Sequence, residues 1–328
     1  MSAPLSGITI LDLSRVLSGP YCTMLAADMG ARVIKIEHPV RGDDTRAWGP
    51  PFLEGESAYY LSINRNKESV AVDFKTPAGR RIVHALAEKA DVLVENFRPG
   101  TLDPIGLGYA DLSARLPSLI YVSISGFGQT GPRRDEAGYD AVMQAEGGLM
   151  SITGEATGSP VRLGVAIADI ASGMFAYQGM LAALIARGKS GRGQRVDVGL
   201  LDAVAALLTY QAGRHFAGDQ PGRTGNRHAT IAPYDTYDTA DGTLVLAVGN
   251  DSQWQSLCAV LPAPDLGADP RYRTNADRVA HYPELSAALG PILNRANLEP
   301  LIDRLRAAGV PCGAVRSVAG ALADPQIA

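Results

Sequence analysis

The sequence predicts an α/β protein: a Rossmann-like large domain built on a parallel sheet, followed by a smaller α+β domain. Three observations carry that expectation. Short apolar runs alternate with helical stretches from Gly7 to Ser125, the rhythm of repeated β-α-β units whose sheet is covered by helices on both faces. The length, 328 residues, suits about two domains. Near Gly218 the texture turns polar and rich in Gly and Pro before apolar runs resume. The predicted division is 1–225 for the large domain and 226–328 for the small one.

The elements follow in order. GITILDLS is a short apolar strand. GPYCTMLAADMGA reads as a helix opened by Gly19-Pro20 and closed by Gly30. RVIKIEHP is a second strand, and a Trp- and Pro-rich loop, 41–51, precedes the strand ESVAVDF. TPAGRRIVHALAEKA is an amphipathic helix, capped by Thr76 and started by Pro77, with Ile82, Val83, Leu86 and Ala87 on one face. DVLVENF and PSLIYVSIS are further strands, and YDAVMQAEGGLMSITGE reads as helix then loop. The uncharged stretch from Ile170 to Ala186 is only just long enough to span a bilayer, and its Ala and Gly content and central Gln178 predict a buried core helix. After the turn RGKSGRG come the strand QRVDVGL and one helix, LDAVAALLTYQAGRHF. The crossing segment AGDQPGRTGNRHATIAPYDTYDTADGT leads to TLVLAVG and shorter helices.

Composition narrows the function. Hydrophobic residues make up 46% and charged residues 20%, with a net charge of −4. No basic footprint marks a nucleic-acid partner and no polybasic patch marks a membrane surface. Cys22, Cys258 and Cys312 are odd in number and form no C-x-x-C pair, so neither a metal site nor a disulfide framework is expected. A reducing, cytoplasmic compartment follows, and the N-terminus reads as mature protein rather than a signal peptide. The five histidines show no metal spacing, and no G-x-S-x-G elbow is present.

Gly126, Gly128 and Gly131 spell G-x-G-x-x-G directly after an apolar run. A dinucleotide site needs a helix opening inside the motif and an acid ending the next strand. Neither is present, so no NAD is expected and the motif reads as a Gly-rich connection. Its position beyond a parallel strand still marks the ligand edge of the sheet, as do SRVLSGP, EHPVRGDD and ENFRPG. Arg15, Arg98 and the amides opening the Gly19-Pro20 helix would face that edge and suit phosphates; Asn96 and Arg98 equally suit the capping of strand ends.

Asp169 stands among apolar and small residues just before the long helix. It suits a helix N-cap. The same place suits a nucleophile, because the helix dipole keeps a carboxylate ionised while lost hydration makes it more reactive.

The segments LDLSRVLSGPYCTMLAADMGARVIKIEHP, SINRNKESVAVDFKTPAGR, DVLVENFRPGTLDPIGLGY, YVSISGFGQTGP, AGYDAVMQAEGGLMSITGE, GVAIADIASGMFA, GRGQRVDVGLLDA, GNRHATIAPYDTYDTADG and AVGNDSQWQSLC occur in one order and spacing. Together they resemble the family III CoA-transferases, the CaiB/BaiF group, which also includes formyl-CoA transferase and α-methylacyl-CoA racemase. The resemblance implies an interlocked-ring homodimer and transfer of CoA from an acyl-CoA to a carboxylic acid, without metal. It implies Asp169 as the nucleophile, passing through an aspartyl–acyl anhydride and an aspartyl-CoA thioester, with the amide of Leu17 or Ser18 in the oxyanion site. Val16, Leu17 and Ser18 should lie along the pantetheine. His38, Lys75, Asn96, Phe97 and Arg98 should hold the adenosine and phosphates, and Tyr139 and Asp140 should line the way to Asp169. Trp48 and Tyr59 are expected as walls of the acyl pocket, and Asn226 and His228 in a loop closing over the intermediate. Arg162 and Arg227 are either ordinary surface residues or contacts for a substrate's free carboxylate.

This sequence departs from the pattern at His38, where Arg is common, and at Pro104 and Ala137, where basic residues are common. Relatives also continue beyond ADPQIA with a segment returning to the large domain. Two alternatives stand beside transfer. One is a 2-methylacyl-CoA racemase, in which a His occupies the place of Tyr139. The other is a non-catalytic CoA-binding protein.

Overall fold

The computed structural model describes residues 3–327. The alternating pattern becomes β1 (Thr9–Asp12), α1 (Ser18–Asp28) and β2 (Arg32–Glu37), then a hairpin of β3 (Phe52–Leu53) and β4 (Glu56–Ser57). α2 (Ala58–Asn64), β5 (Lys67–Ala71), α3 (Pro77–Ala87), β6 (Val92–Glu95), α4 (Tyr109–Arg115) and β7 (Ile120–Ser125) follow. α5 (Asp140–Glu146), α6 (Leu149–Ile152) and the long α7 (Ile167–Ser190) lead to β8 (Arg195–Gly199), α8 (Leu200–Leu207) and α9 (Thr209–Phe216). β5, β2, β1, β6, β7 and β8 form one sheet in that order, every neighbouring pair parallel. The order reverses between β1 and β6, so the loops leaving those two strands part and open a crevice at the C-terminal edge.

Alternation along the strands sends side chains to two cores. Ile10, Val33, Val92 and Ile120 pack with Cys22 and Ala26 of α1 and Met180 of α7. Leu11, Ile34 and Leu93 face the other way, against Val83 and Ala87 of α3 and Leu112 of α4. On α3 the Thr76 hydroxyl accepts the Gly79 N–H at 3.0 Å, but Ile82 is exposed, so its apolar face is narrower than the sequence pattern implied.

By length and composition α7 is apolar enough to cross a membrane. Here Gly173, Ala176, Met180 and Ala183 form its buried seam. A Cβ on Gly173 would lie 2.6 Å from the Ser18 carbonyl oxygen, so this glycine allows α7 to meet the start of α1. The helix expected across LDAVAALLTYQAGRHF is broken between α8 and α9, where Thr209 takes a φ of 39°.

The chain divides into two compact units. The first runs to Ile152 and resumes at Val161–Pro221; the second holds Thr153–Pro160 and the residues from Gly222 onward. In the second, β9 (Tyr234–Asp238), β10 (Thr243–Ala247) and β11 (Cys312–Ala314) form an antiparallel sheet. α10 (Asp251–Val260), α11 (Pro264–Ala268), α12 (Asn275–Ala280), α13 (Tyr282–Leu293), α14 (Leu298–Ala307) and α15 (Val318–Leu322) accompany it. Leu244, Leu246, Trp254, Leu289 and Leu301 centre its core. Arg278 is fully buried there, held by Asp251 at 2.8 Å and the Ala232 carbonyl at 2.7 Å. The fold class is thus α/β, a Rossmann-like unit with a smaller α+β unit.

Candidate active site

A cavity of about 380 Å³ sits at the crevice between the loops after β1 and β6. Val16, Ser18, Asn96, Phe97, Arg98, Tyr139 and Asp169 all line it, so the loops of three strands and the first turn of α7 converge on one space.

The turn after β1 is fastened by Asn96. Its Oδ1 accepts the Arg15 N–H at 2.8 Å, and its Nδ2 donates to the Arg15 carbonyl at 2.7 Å and the Ser18 hydroxyl at 3.2 Å. Asn96 therefore shapes the wall it lines. The Leu17 side chain is buried against Met24 and Ile63, and Leu17, unlike Val16 and Ser18, does not line the cavity. Among the described residues no acceptor takes the N–H groups of Leu17, Ser18 or Gly19.

Asp169 is not the cap of its helix. α7 starts at Ile167, and the acceptor for the Ala168 N–H is Oδ1 of Asp140, at 2.8 Å. The other Asp140 oxygen accepts Gln144 Nε2 at 2.7 Å, and Gln144 Oε1 takes the Leu163 N–H at 2.8 Å. The Asp140 carboxylate is absent from the cavity lining and is engaged with α7. Asp169 is left half-buried with no hydrogen-bond donor among the described residues. Burial, and after it the like charge of Asp140, push its carboxyl up to about 7. Tyr59 shares the neighbourhood: burial and then the Asp169 and Asp140 charges push its phenol up to about 12. Its ring meets Trp48 edge-on at 5.2 Å.

The glycine motif has a packing role. A Cβ on Gly126 would lie 2.7 Å from Gly138 Cα, and one on Gly138 would lie 2.4 Å from Gly126 Cα. The two backbones touch, which brings Tyr139 and Asp140 against the end of β7. Gly128 and Gly131 take φ of 80° and 92°, the left-handed turns that follow.

A second cavity of about 210 Å³ adjoins the first, with Arg15, Phe97 and Thr101 lining both. His38, Arg41, Phe74 and Lys75 line it. His38 Nδ1 accepts the N–H groups of Val40 and Arg41 at 3.2 and 3.4 Å, which fixes the imidazole in its loop. Arg15 pairs with Asp44 at 3.2 Å. Of the two departures from basic residues, Ala137 lines the first cavity, and Pro104 lies in the short helical turn Asp103–Ile105. Arg162 is exposed and donates to its neighbour's carbonyl, Leu163 O, at 3.2 Å.

In the second unit, Asn226 Nδ2 donates to the Thr236 hydroxyl at 3.1 Å, and the His228 ring lies 5.2 Å from that of Tyr234. Arg227 stacks on Tyr282 at 3.8 Å.

Residues 5–328 match the sequence profile of CoA-transferase family III. The chain belongs to CoA-transferase family III. Among its relatives, human succinyl-CoA:glutarate CoA-transferase is 45% identical over 99% of this chain and 74% of that protein. The succinate--glutarate CoA-transferase of Agrobacterium fabrum is 46% identical over 99% of this chain and 83% of its own. A crystal structure of a CaiB/BaiF family protein from Brucella suis superposes with a TM-score of 0.90 at 43% identity, covering 100% of this chain and 88% of that one. This family III member is an acyl-CoA:carboxylate CoA-transferase, and CoA thioesters are its substrates.

Three residues at or beside these cavities carried no obvious signal in the sequence. Arg41 lies in the His38 loop and lines the second cavity. Lys35 and Asp43 form an ion pair at 2.9 Å, almost wholly buried behind the β1 turn. A lysine inside the apolar run RVIKIEHP was the one hint.

Proposed function

We propose that this chain moves CoA between dicarboxylic acids, with the Asp169 carboxylate as nucleophile. One observation carries the reading: a half-buried carboxylate that has no hydrogen-bond donor among the described residues shares a cavity wall with Ser18, at a turn whose amides have no acceptor among them. A poorly solvated carboxylate is a stronger nucleophile, and free N–H groups suit the oxyanion of an attacked carbonyl. The names of the human and Agrobacterium relatives support succinate and glutarate as the acid class.

The chemistry balances without a net proton. An Asp169 oxygen attacks the thioester carbonyl, the C–S bond breaks, and CoA leaves as thiolate with the electron pair. The thiolate attacks the aspartyl carbonyl of the anhydride and expels the donor carboxylate, leaving an aspartyl-CoA thioester. The acceptor carboxylate then attacks that thioester, CoA leaves again, and its return to the new acyl carbon frees Asp169. In this reading Val16, Leu17 and Ser18 line the pantetheine, and His38, Lys75, Asn96, Phe97 and Arg98 serve the nucleotide end. Tyr139 borders the path to Asp169, with Asp140 behind it as the cap of α7. Trp48 and Tyr59 wall the acyl group, and Asn226 and His228 belong to a closing loop. The working form is an interlocked homodimer.

The test is a transfer assay with succinyl-CoA and glutarate, reading glutaryl-CoA by mass. Activity is expected in the wild type and a loss of at least about a thousandfold in Asp169→Ala. Hydroxylamine added during turnover should leave a hydroxamate on Asp169. Retained turnover in Asp169→Ala would overturn the mechanism.

A further inference from the structure

We propose that the buried Lys35–Asp43 pair is a positioning device: it holds Val16 in a left-handed turn and so aims the Leu17–Gly19 amides at the Asp169 side of the cleft. The inference rests on the functional reading above.

Val16 has a φ of 66°. A β-branched residue is strained there, and such strain persists only where the surroundings over-determine it. The surroundings do so from both sides. Each Asp43 oxygen lies 3.3 Å from the Val16 nitrogen, and one of them takes Lys35 Nζ at 2.9 Å. Lys35 Nζ also donates to the Ser14 carbonyl at 2.8 Å. The pair thus grips the turn at Ser14 and at Val16, while Asn96 clamps Arg15 between them.

Asp43 is itself immobilised. Its Oδ1 accepts the Thr45 N–H at 3.0 Å and the Thr45 hydroxyl at 2.8 Å, and its own N–H is held by Glu37 at 2.9 Å. Both partners are about 1% exposed. Burial at that depth is a poor way to add stability, since apolar residues of similar volume often serve as well. It is a good way to enforce one backbone conformation.

That conformation matters at the cleft. Directly after Val16 the Leu17 side chain turns into the core, and Ser18 opens α1 with its hydroxyl on Asn96. Gly173 of α7 packs on the Ser18 carbonyl, and Asp169 lies one turn earlier on the same helix face. A relaxed Val16 would rotate the next amides relative to the carboxylate.

The test is a coupling experiment on succinyl-CoA/glutarate transfer. K35M/D43A, which leaves no unpaired buried charge, is made with Val16 and again with V16G. Glycine adopts a positive φ without the Cβ penalty and so needs no clamp. Val16 lines the cavity, so V16G has its own cost, and the quantity read is the loss caused by K35M/D43A in each background. With Val16 the expected loss in kcat is on the order of a hundredfold, and with V16G about tenfold or less. The dissociation constant for CoA, read by calorimetry, should change little in either background. Equal losses in the two backgrounds, or wild-type kcat in K35M/D43A, overturn the proposal. If K35M/D43A does not fold, D43N is read through the same ratio with the same criterion. A wild-type chain without transfer activity sinks the functional reading instead, whereas an active wild type with an uncoupled cycle sinks only this inference.

Discussion

As the proposed nucleophile, Asp169 faces two opposed demands. Burial makes its oxygens reactive, and the same burial, with the Asp140 charge, pushes its carboxyl up to about 7. Only the ionised form attacks, so kcat/KM is expected to fall about tenfold per unit as pH drops below about 7 and to level off above it. Asp140→Asn removes the like charge while keeping an acceptor for Ala168, and should move that limb to lower pH. A pH–rate profile of both proteins checks this; a wild-type limb near 4 would sink it. Stability runs the other way. Because the folded value lies above the ordinary 3.8, ionising Asp169 penalises the native state, and stability is lost as pH rises toward and through about 7. Asp169→Asn should therefore melt higher than the parent at pH 8 and show no such gain at pH 4.

The elements bring that residue to its place through backbone contacts that admit no side chain. Gly126 and Gly138 meet backbone to backbone, so Gly126→Ala has no flexible neighbour to displace and must shift the loop bearing Tyr139. A rise in KM for acyl-CoA of about tenfold or more is expected, with a lower melting temperature. Gly188, in the exposed last part of α7 with nothing near its missing Cβ, gives the contrast: Gly188→Ala should stabilise by about 0.5–1 kcal/mol without changing KM. Steady-state kinetics and thermal melts separate the two, and equal KM values would contradict the packing role. The motif's spelling was legible in the sequence, but its partner was not, because Gly138 meets Gly126 only once the chain has turned back. The periodic strands and α3 were legible because local alternation and a Thr-Pro start encode them. The Asp140 cap on α7 was not, since it joins residues 28 positions apart.

At the scale of the molecule, the parallel sheet follows from the rhythm of apolar runs, and the crevice follows from the strand order, which no local pattern states. Lys35 and Asp43 belong to that second kind of information: a lysine in an apolar strand is an anomaly until its partner folds behind the β1 turn. The helix α7 is long and apolar enough for a bilayer, but its Ala and Gly content pointed to a core helix, and its seam of Gly173, Ala176, Met180 and Ala183 packs inside the large unit. What remains outside is also apolar: Met174, Phe175 and Ile185 on α7, and Tyr210 and Phe216 on α9. Exposed large apolar side chains of this kind mark a candidate interface. A second copy of the chain is the expected occupant, because the homodimer implied by the family resemblance must bury roughly 800 Å² or more per subunit. Sedimentation equilibrium at micromolar concentration is expected to give twice the chain mass. The double variant Phe175→Asp/Phe216→Asp places two charges in that surface, so its assembly should fail and leave single chains. A wild-type monomer, or a double variant that assembles as well as the parent, would remove these helices from the interface.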